Sequence, residues 1–267
     1  MFGLFGCNNK KRDIVFEKFK ARIEKQGLKI DSIDKEGLLH ISRGDIDLEI
    51  SLENVRRNYG RDSDETHISD LADMVVSYSA ELPDWPAAKN DVYINLYPND
   101  DGFDFKEYPH AWITEEFSKV YVHSGNDKLT WVTMDDIKKW NVTEAELDKQ
   151  ACQNANVLLD KSPISFDTIA NRKLGMINAA HESLKGALLF APNMKDKVSR
   201  DFGFPFYAVI PVRDFCYIFS EKDFGFFSER LRKTVVQEYK ESGYPISTEI
   251  LKFTNKGVEA VGKYPIE

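Results

Sequence analysis

The sequence predicts an α+β protein in which an antiparallel meander and mixed sheets are flanked by helices. Three observations carry this reading. Strand-like runs come in groups rather than alternating strictly with helices, which disfavours a doubly wound parallel sheet. Short alternating segments are separated by turn residues such as Lys35-Glu36-Gly37 and Gly44-Asp45. The chain has 267 residues, 42% of them hydrophobic, enough to bury a sizeable core without a metal or a disulfide.

Phe16, Phe19 and Ile23 recur at helical spacing and predict a helix over about residues 11–26, with Gly27 as its stop. Three short strands follow over 28–34, 38–43 and 46–51. A short helix over 52–59 and a second over about 68–82 come next, the latter with Leu71, Met74, Val75 and Tyr78 on its apolar face. Pro83-Asp84-Trp85-Pro86 marks a boundary. Residues 92–97 read as a buried strand, 98–109 as a turn-rich acidic loop, and 119–123 with 128–133 as a hairpin. Thr143 and Glu146 have the spacing of a capping box opening a helix that runs to about Asn156. Ser162-Pro163 is a second break. Beyond it, strands are expected over 186–190, 206–212, 215–220 and 249–254. A helix capped by Ser228 and ended by Gly243 lies between the last two. The expected units are 1–82, an acidic central 83–162, and 163–267, the last two open to packing as one domain.

The net charge is −8, and residues 81–160 hold 16 acidic against 7 basic side chains. Nucleic-acid binding through a broad basic face is therefore not expected, because neutralising phosphates takes clustered Lys and Arg. No apolar run approaches the roughly 20 residues a bilayer span needs, so no integral membrane association is expected. Residues 1–9 read as a leader into the first helix rather than a signal peptide, since the basic Lys10-Lys11-Arg12 follows the apolar stretch. Cys7, Cys152 and Cys216 are odd in number and form no C-x-x-C. This fits a reduced, cytoplasmic compartment with Cys152 and Cys216 in the core.

Most chemical motifs fail on inspection. Gly257 through Lys263 has phosphate-loop spacing, but Tyr264 replaces the required Ser or Thr. Two Asp-Phe-Gly triplets, at 201–203 and 223–225, lack the glycine-rich loop and catalytic loop of a kinase. The five histidines show no zinc-binding spacing, and no G-x-S-x-G elbow occurs. No catalytic residue, metal site or cofactor is expected. Asp100, Asp101 and Asp104 share one loop without calcium-loop spacing, and read as a solvated turn or a docking patch for a basic partner. Arg213-Asp214 lies between two strongly apolar strands. It reads either as a strand-turn salt bridge or as a ligand or partner contact at a sheet edge.

Several segments in order resemble a known family. They are Ser51-Leu52-Glu53-Asn54, the strand ending Leu96-Tyr97-Pro98, the capped helix with Ala151 and Asn154, Ile210-Pro211-Val212-Arg213-Asp214, and Pro245-Ile246-Ser247. Together they are similar to the bacterial YtpQ-like family, domain of unknown function 1444. The resemblance implies a bacterial cytoplasmic protein and transfers no mechanism. Two functions are expected from the residues. The first is a non-enzymatic cytoplasmic module that binds a basic protein, such as a toxin it neutralises, through Asp100, Asp101 and Asp104. The alternative is an enzyme or small-molecule binder with an anionic-ligand site in a concave pocket at Arg213 and Asp214.

Overall fold

The computed structural model describes residues 13–43, 46–76, 81–99, 105–125 and 128–266. It is an α+β protein. The chain divides into two compact units, Met1–Ala80 and Glu81–Glu267.

In the first unit, α1 (Ile14–Lys25) is capped by Asp13, whose carboxylate accepts the Phe16 N–H at 3.0 Å. A three-stranded antiparallel meander follows in the order β1 (Ser32–Ile33), β2 (Leu39–Arg43) and β3 (Ile46–Ile50). Two helices, α2 (Glu53–Asp62) and α3 (Thr66–Val76), complete the unit. Phe19, Ile23, Leu39, Ile41, Leu52 and Ala72 form its core. Gly27 has φ +86°, a left-handed conformation that favours glycine just past a helix. The inner face of α3 is rotated from the expected one. Ile68, Ala72 and Val75 are buried, Met74 is 38% exposed, and Tyr78 lies outside the described residues. Large apolar residues alone did not reveal Ala72, which is fully buried.

The second unit opens with α4 (Trp85–Ala88) and β4 (Val92–Pro98), then β5 (His110–Trp112), β6 (Phe117–Gly125) and β7 (Lys128–Trp131). Strands β4, β6 and β5 pair in that order, and β7 also pairs with β6. Next come α5 (Met134–Trp140) and α6 (Glu144–Asp160). The expected capping box opens α6. Thr143 Oγ1 accepts the Glu146 N–H at 3.2 Å, and the Glu146 carboxylate accepts the Thr143 N–H at 2.8 Å. The remaining elements are β8 (Ile164–Ile169), β9 (Arg172–Ile177), α7 (Met194–Phe202), β10 (Phe206–Val212), β11 (Phe215–Ser220), α8 (Phe224–Arg230), α9 (Arg232–Glu241), β12 (Glu249–Thr254) and β13 (Gly257–Lys263). Their strands form a six-stranded sheet in the order β13-β12-β10-β11-β9-β8.

Every described strand pairing is antiparallel, where mixed sheets were expected. The reason is local: β8–β9, β10–β11 and β12–β13 are tight hairpins, and these three hairpins supply all six strands. Two further expectations are corrected. Residues Ala187–Phe190 form a 3₁₀ turn, not a strand. Ser228 sits inside α8 rather than capping the helix expected to run to Gly243, which is α9 and begins at Arg232. The phosphate-loop-like segment is β13, an edge strand. The segments that became β8, β9 and β13 carried no strong period in the sequence, whereas α7 was overlooked although Met194, Val198 and Phe202 recur at helical spacing.

All seven residues of β10 are buried, because both faces of this central strand are covered. Phe206, Ala208 and Ile210 join the larger core, while Tyr207 and Val209 join a second core with Phe219, Phe227 and Val235. The larger core draws on both sides of the Ser162-Pro163 break, including Leu147, Leu159, Phe206 and Leu251. Pro83 is also tied into this unit: its carbonyl accepts the Trp140 indole N–H at 2.8 Å. Gly175 in β9 lies where an added Cβ would overlap the Phe202 ring of α7. No described helix is long and apolar enough to cross a membrane.

Candidate functional site

Arg213 and Asp214 are the turn between β10 and β11, closed by the pairing of Val212 with Phe215. The β10 register shifts between Val209 and Val212. Here the segment leading to β12 takes over the backbone bonds. Ile246 N–H donates to the Pro211 carbonyl at 2.8 Å, and Ser247 N–H to Ile210 at 3.2 Å. Arg213 is clamped from both sides. Its N–H donates to the Tyr244 carbonyl at 3.3 Å, and its carbonyl accepts the Gly186 N–H at 2.9 Å. A Cβ on Gly186 would stand 2.8 Å from Ile210 Cγ2 and 3.2 Å from the Arg213 carbonyl oxygen. The absence of a side chain at 186 is therefore what lets this loop reach the turn.

The guanidinium lies 4.0 Å over the Tyr244 ring, a cation–π stack. Among the described residues it makes no ion pair and no side-chain hydrogen bond. The salt bridge that the sequence allowed between Arg213 and Asp214 is not formed, and Asp214 is exposed. Tyr244 occupies one face of the planar group, and its N–H edge has no partner among the described residues. No described buried side-chain nitrogen or oxygen lacks a partner. Burial pulls this guanidinium below its ordinary value, opposed by Tyr244, Asp214 and Tyr97. It still carries its charge at neutral pH. Two shallow, open hollows among the described residues are lined by Ile33, Asp34, Lys35 and Glu36, and by Pro163, Ile164, Asp196, Lys197, Arg200 and Asp201. Arg213 lines neither, so the concave pocket expected at the turn is not among them.

Asp100, Asp101 and Asp104 lie outside the described residues. The residue before them is anchored. Asn99 N–H donates to the Glu116 carbonyl at 2.7 Å, and Ser118 Oγ donates to Asn99 Oδ1 at 2.7 Å.

Two features escaped the sequence reading. The first is an aromatic face on the sheet of β4 to β7. Register places Tyr93, Asn95 and Tyr97 opposite Val122, Val120 and Ser118, with His110, Trp112 and Trp131 opposite the same three β6 positions. All share one face. The Tyr97 and Trp131 rings meet edge-on at 4.8 Å, Tyr108 meets Trp131 at 5.0 Å, and Trp112 is 64% exposed. The other face packs on α6, where Asp148 accepts hydrogen bonds from Lys119 and Tyr121. The alternation of Tyr93, Asn95 and Tyr97 with Val92, Ile94 and Leu96 was the available signal.

The second is a pair of glutamates. Glu249, buried at the start of β12, accepts from Thr114 Oγ1 at 2.6 Å. Ser247 Oγ stands 3.2 Å from Glu249 Oε2 and 3.0 Å from Glu116 Oε2. Lys263 of β13 pairs with Glu116. The participants come from three separate places in the chain, 114–116, 247–249 and 263, so no local spacing signals them.

The described cysteines are thiols of low reactivity. Burial pushes Cys216 up to about 12 and also raises the half-buried Cys152, leaving little thiolate at neutral pH. Among the described residues no group of three or more His, Cys, Asp or Glu could hold a metal ion. Comparison with protein-family models, curated proteins and solved structures gives no match.

Proposed function

We propose that this protein binds a small anionic ligand at Arg213. The observation that carries the reading is a charged guanidinium, half-buried and stacked on Tyr244, with no acidic partner among the described residues. A fixed guanidinium with its N–H edge open suits a carboxylate or phosphate, which it can hold with two parallel hydrogen bonds. Backbone clamping by Tyr244 and Gly186 lowers the ordering cost of binding.

The test is thermal unfolding with inorganic phosphate, acetate and citrate, using the native chain and Arg213→Gln. A ligand present at 100 times its Kd stabilises by about 2.7 kcal/mol. The expected result is a concentration-dependent rise for at least one anion in the native protein and none in the variant. Equal responses in both proteins would place the anion elsewhere, and no response to any anion would remove the reading.

A second reading is favoured by Trp112, an exposed aromatic on the edge strand β5. Exposed aromatics are frequent anchors of protein interfaces. We propose it as the apolar part of a surface that docks a basic protein, with Asp100, Asp101 and Asp104 supplying the charge. The ordered motifs similar to the YtpQ-like family support a bacterial, cytoplasmic setting for either reading.

A further inference from the structure

We propose that Glu116 and Glu249 form a proton-gated clasp between the β4–β7 sheet and the six-stranded sheet: closed while the pair holds one proton, loosened when both ionise. The geometry is a shared hydroxyl. Ser247 Oγ lies within hydrogen-bond reach of both carboxylates, yet a hydroxyl has one proton to donate. Thr114 supplies a second donor to Glu249, and among the described residues Lys263 supplies the one ammonium, directed at Glu116. One positive charge therefore faces two carboxylates, with Glu249 only 7% exposed. A lone excess charge in such a place is costly, and a proton held by the pair removes it.

The charged and polar groups around Glu249 are Glu116 and Thr114 from the β5–β6 turn, Ser247 from the segment before β12, and Lys263 from β13. Burial is the largest influence on Glu249 and raises its carboxyl, and the Glu116 charge raises it further. Thr114, Ser247 and Lys263 act in the opposite sense without overcoming the rise. A carboxyl raised in the folded state contributes stability that is full below the ordinary glutamate value. That contribution is lost as pH climbs through the raised value. The clasp is thus closed on the acid side and relaxes as pH rises through the raised value.

The clasp holds the β5–β6 turn and the residue that leads into the acidic loop. The β5–β6 turn is held by the Ile113 and Thr114 N–H groups, both donating to the Phe117 carbonyl at 3.2 Å. Asn99 rides on the same turn through its bond to the Glu116 carbonyl and through its amide, 3.3 Å from the Thr114 and Glu115 carbonyls. Loosening the clasp loosens Asn99, the residue from which the acidic loop starts. This coupling does not depend on any ligand at Arg213.

The experiment is carboxyl-detected NMR of the full chain across pH 4 to 8, with amide hydrogen exchange of Asn99, Ile113 and Thr114 corrected for intrinsic rate. Glu249 should titrate above an ordinary glutamate. Protection of the three amides should fall in the same window, by about tenfold for each pH unit of displacement. Glu249→Gln should keep them protected throughout. Should that variant not fold, Glu116→Gln serves instead: removing the neighbouring charge should move the Glu249 titration downward. An ordinary Glu249 titration, protection that is flat across the window, or a Glu249 titration unmoved in Glu116→Gln would overturn the clasp.

Discussion

Phe206→Ala is expected to destabilise the second unit by about 3–5 kcal/mol, the usual cost of deleting a buried aromatic ring from a packed core. Phe206 is 1% exposed and stacks on Phe253 at 4.6 Å with 9° between the rings. Phe253 in turn contacts Phe190 at 5.5 Å, so the cavity would open beside two remaining aromatics with little freedom to close. The loss should not stay within the C-terminal segment. Leu147, Ala151 and Leu159 of α6 belong to the same core as Phe206. Chemical denaturation followed by amide exchange should show α6 and β10 losing protection together, by similar amounts. If α6 kept its native protection while β10 opened, residues 83–162 and 163–267 would be separable folding units after all.

Gly186→Val is expected to cost about 1–3 kcal/mol, the range for overpacking a filled interior. Its effect on anion binding should be larger than that loss suggests. Gly186 has φ −60°, so the backbone is ordinary and the penalty is purely steric. A branched side chain there meets Ile210 and the Arg213 carbonyl oxygen. It must push apart the loop and the turn, breaking the bond from Gly186 N–H to Arg213. The variant should therefore unfold at lower denaturant and lose its thermal response to anions, although Arg213 itself is intact. Retention of a full response at reduced stability would show that the clamp is not what positions the guanidinium.

The elements that were legible in the sequence share a physical cause. Strand β10 shows itself because both of its faces are buried, which demands an unbroken apolar run. The α6 start shows itself because a capping box is a local arrangement of four residues. The meander of the first unit is read from alternation and turn residues. Elements that lie at the rim of the six-stranded sheet were missed. Residues 165–169 of β8 are all exposed, and most of β13 is exposed too. With no buried face there is no hydrophobic period to read, and their pairing is decided by the hairpin partner. At the site, Arg213 stood out from sequence as a charge between apolar strands. Its stack on Tyr244 did not, because 31 residues separate the two. The Glu116–Glu249 pair was beyond any local pattern for the same reason.

Gly175 and Phe202 carry a consequence for the history of this chain. The ring of Phe202 fills the space a side chain at 175 would need, and it also meets Phe166 of the neighbouring strand edge-on at 6.5 Å. Neither position can change alone without either a collision or a void. Substitution at 175 becomes permissible only once 202 has shrunk, and a small residue at 202 leaves a gap that a side chain at 175 can refill. The two sites should therefore drift as one unit. In any set of homologous chains, glycine at 175 and an aromatic at 202 should be retained together or lost together, a correlation countable from sequences alone.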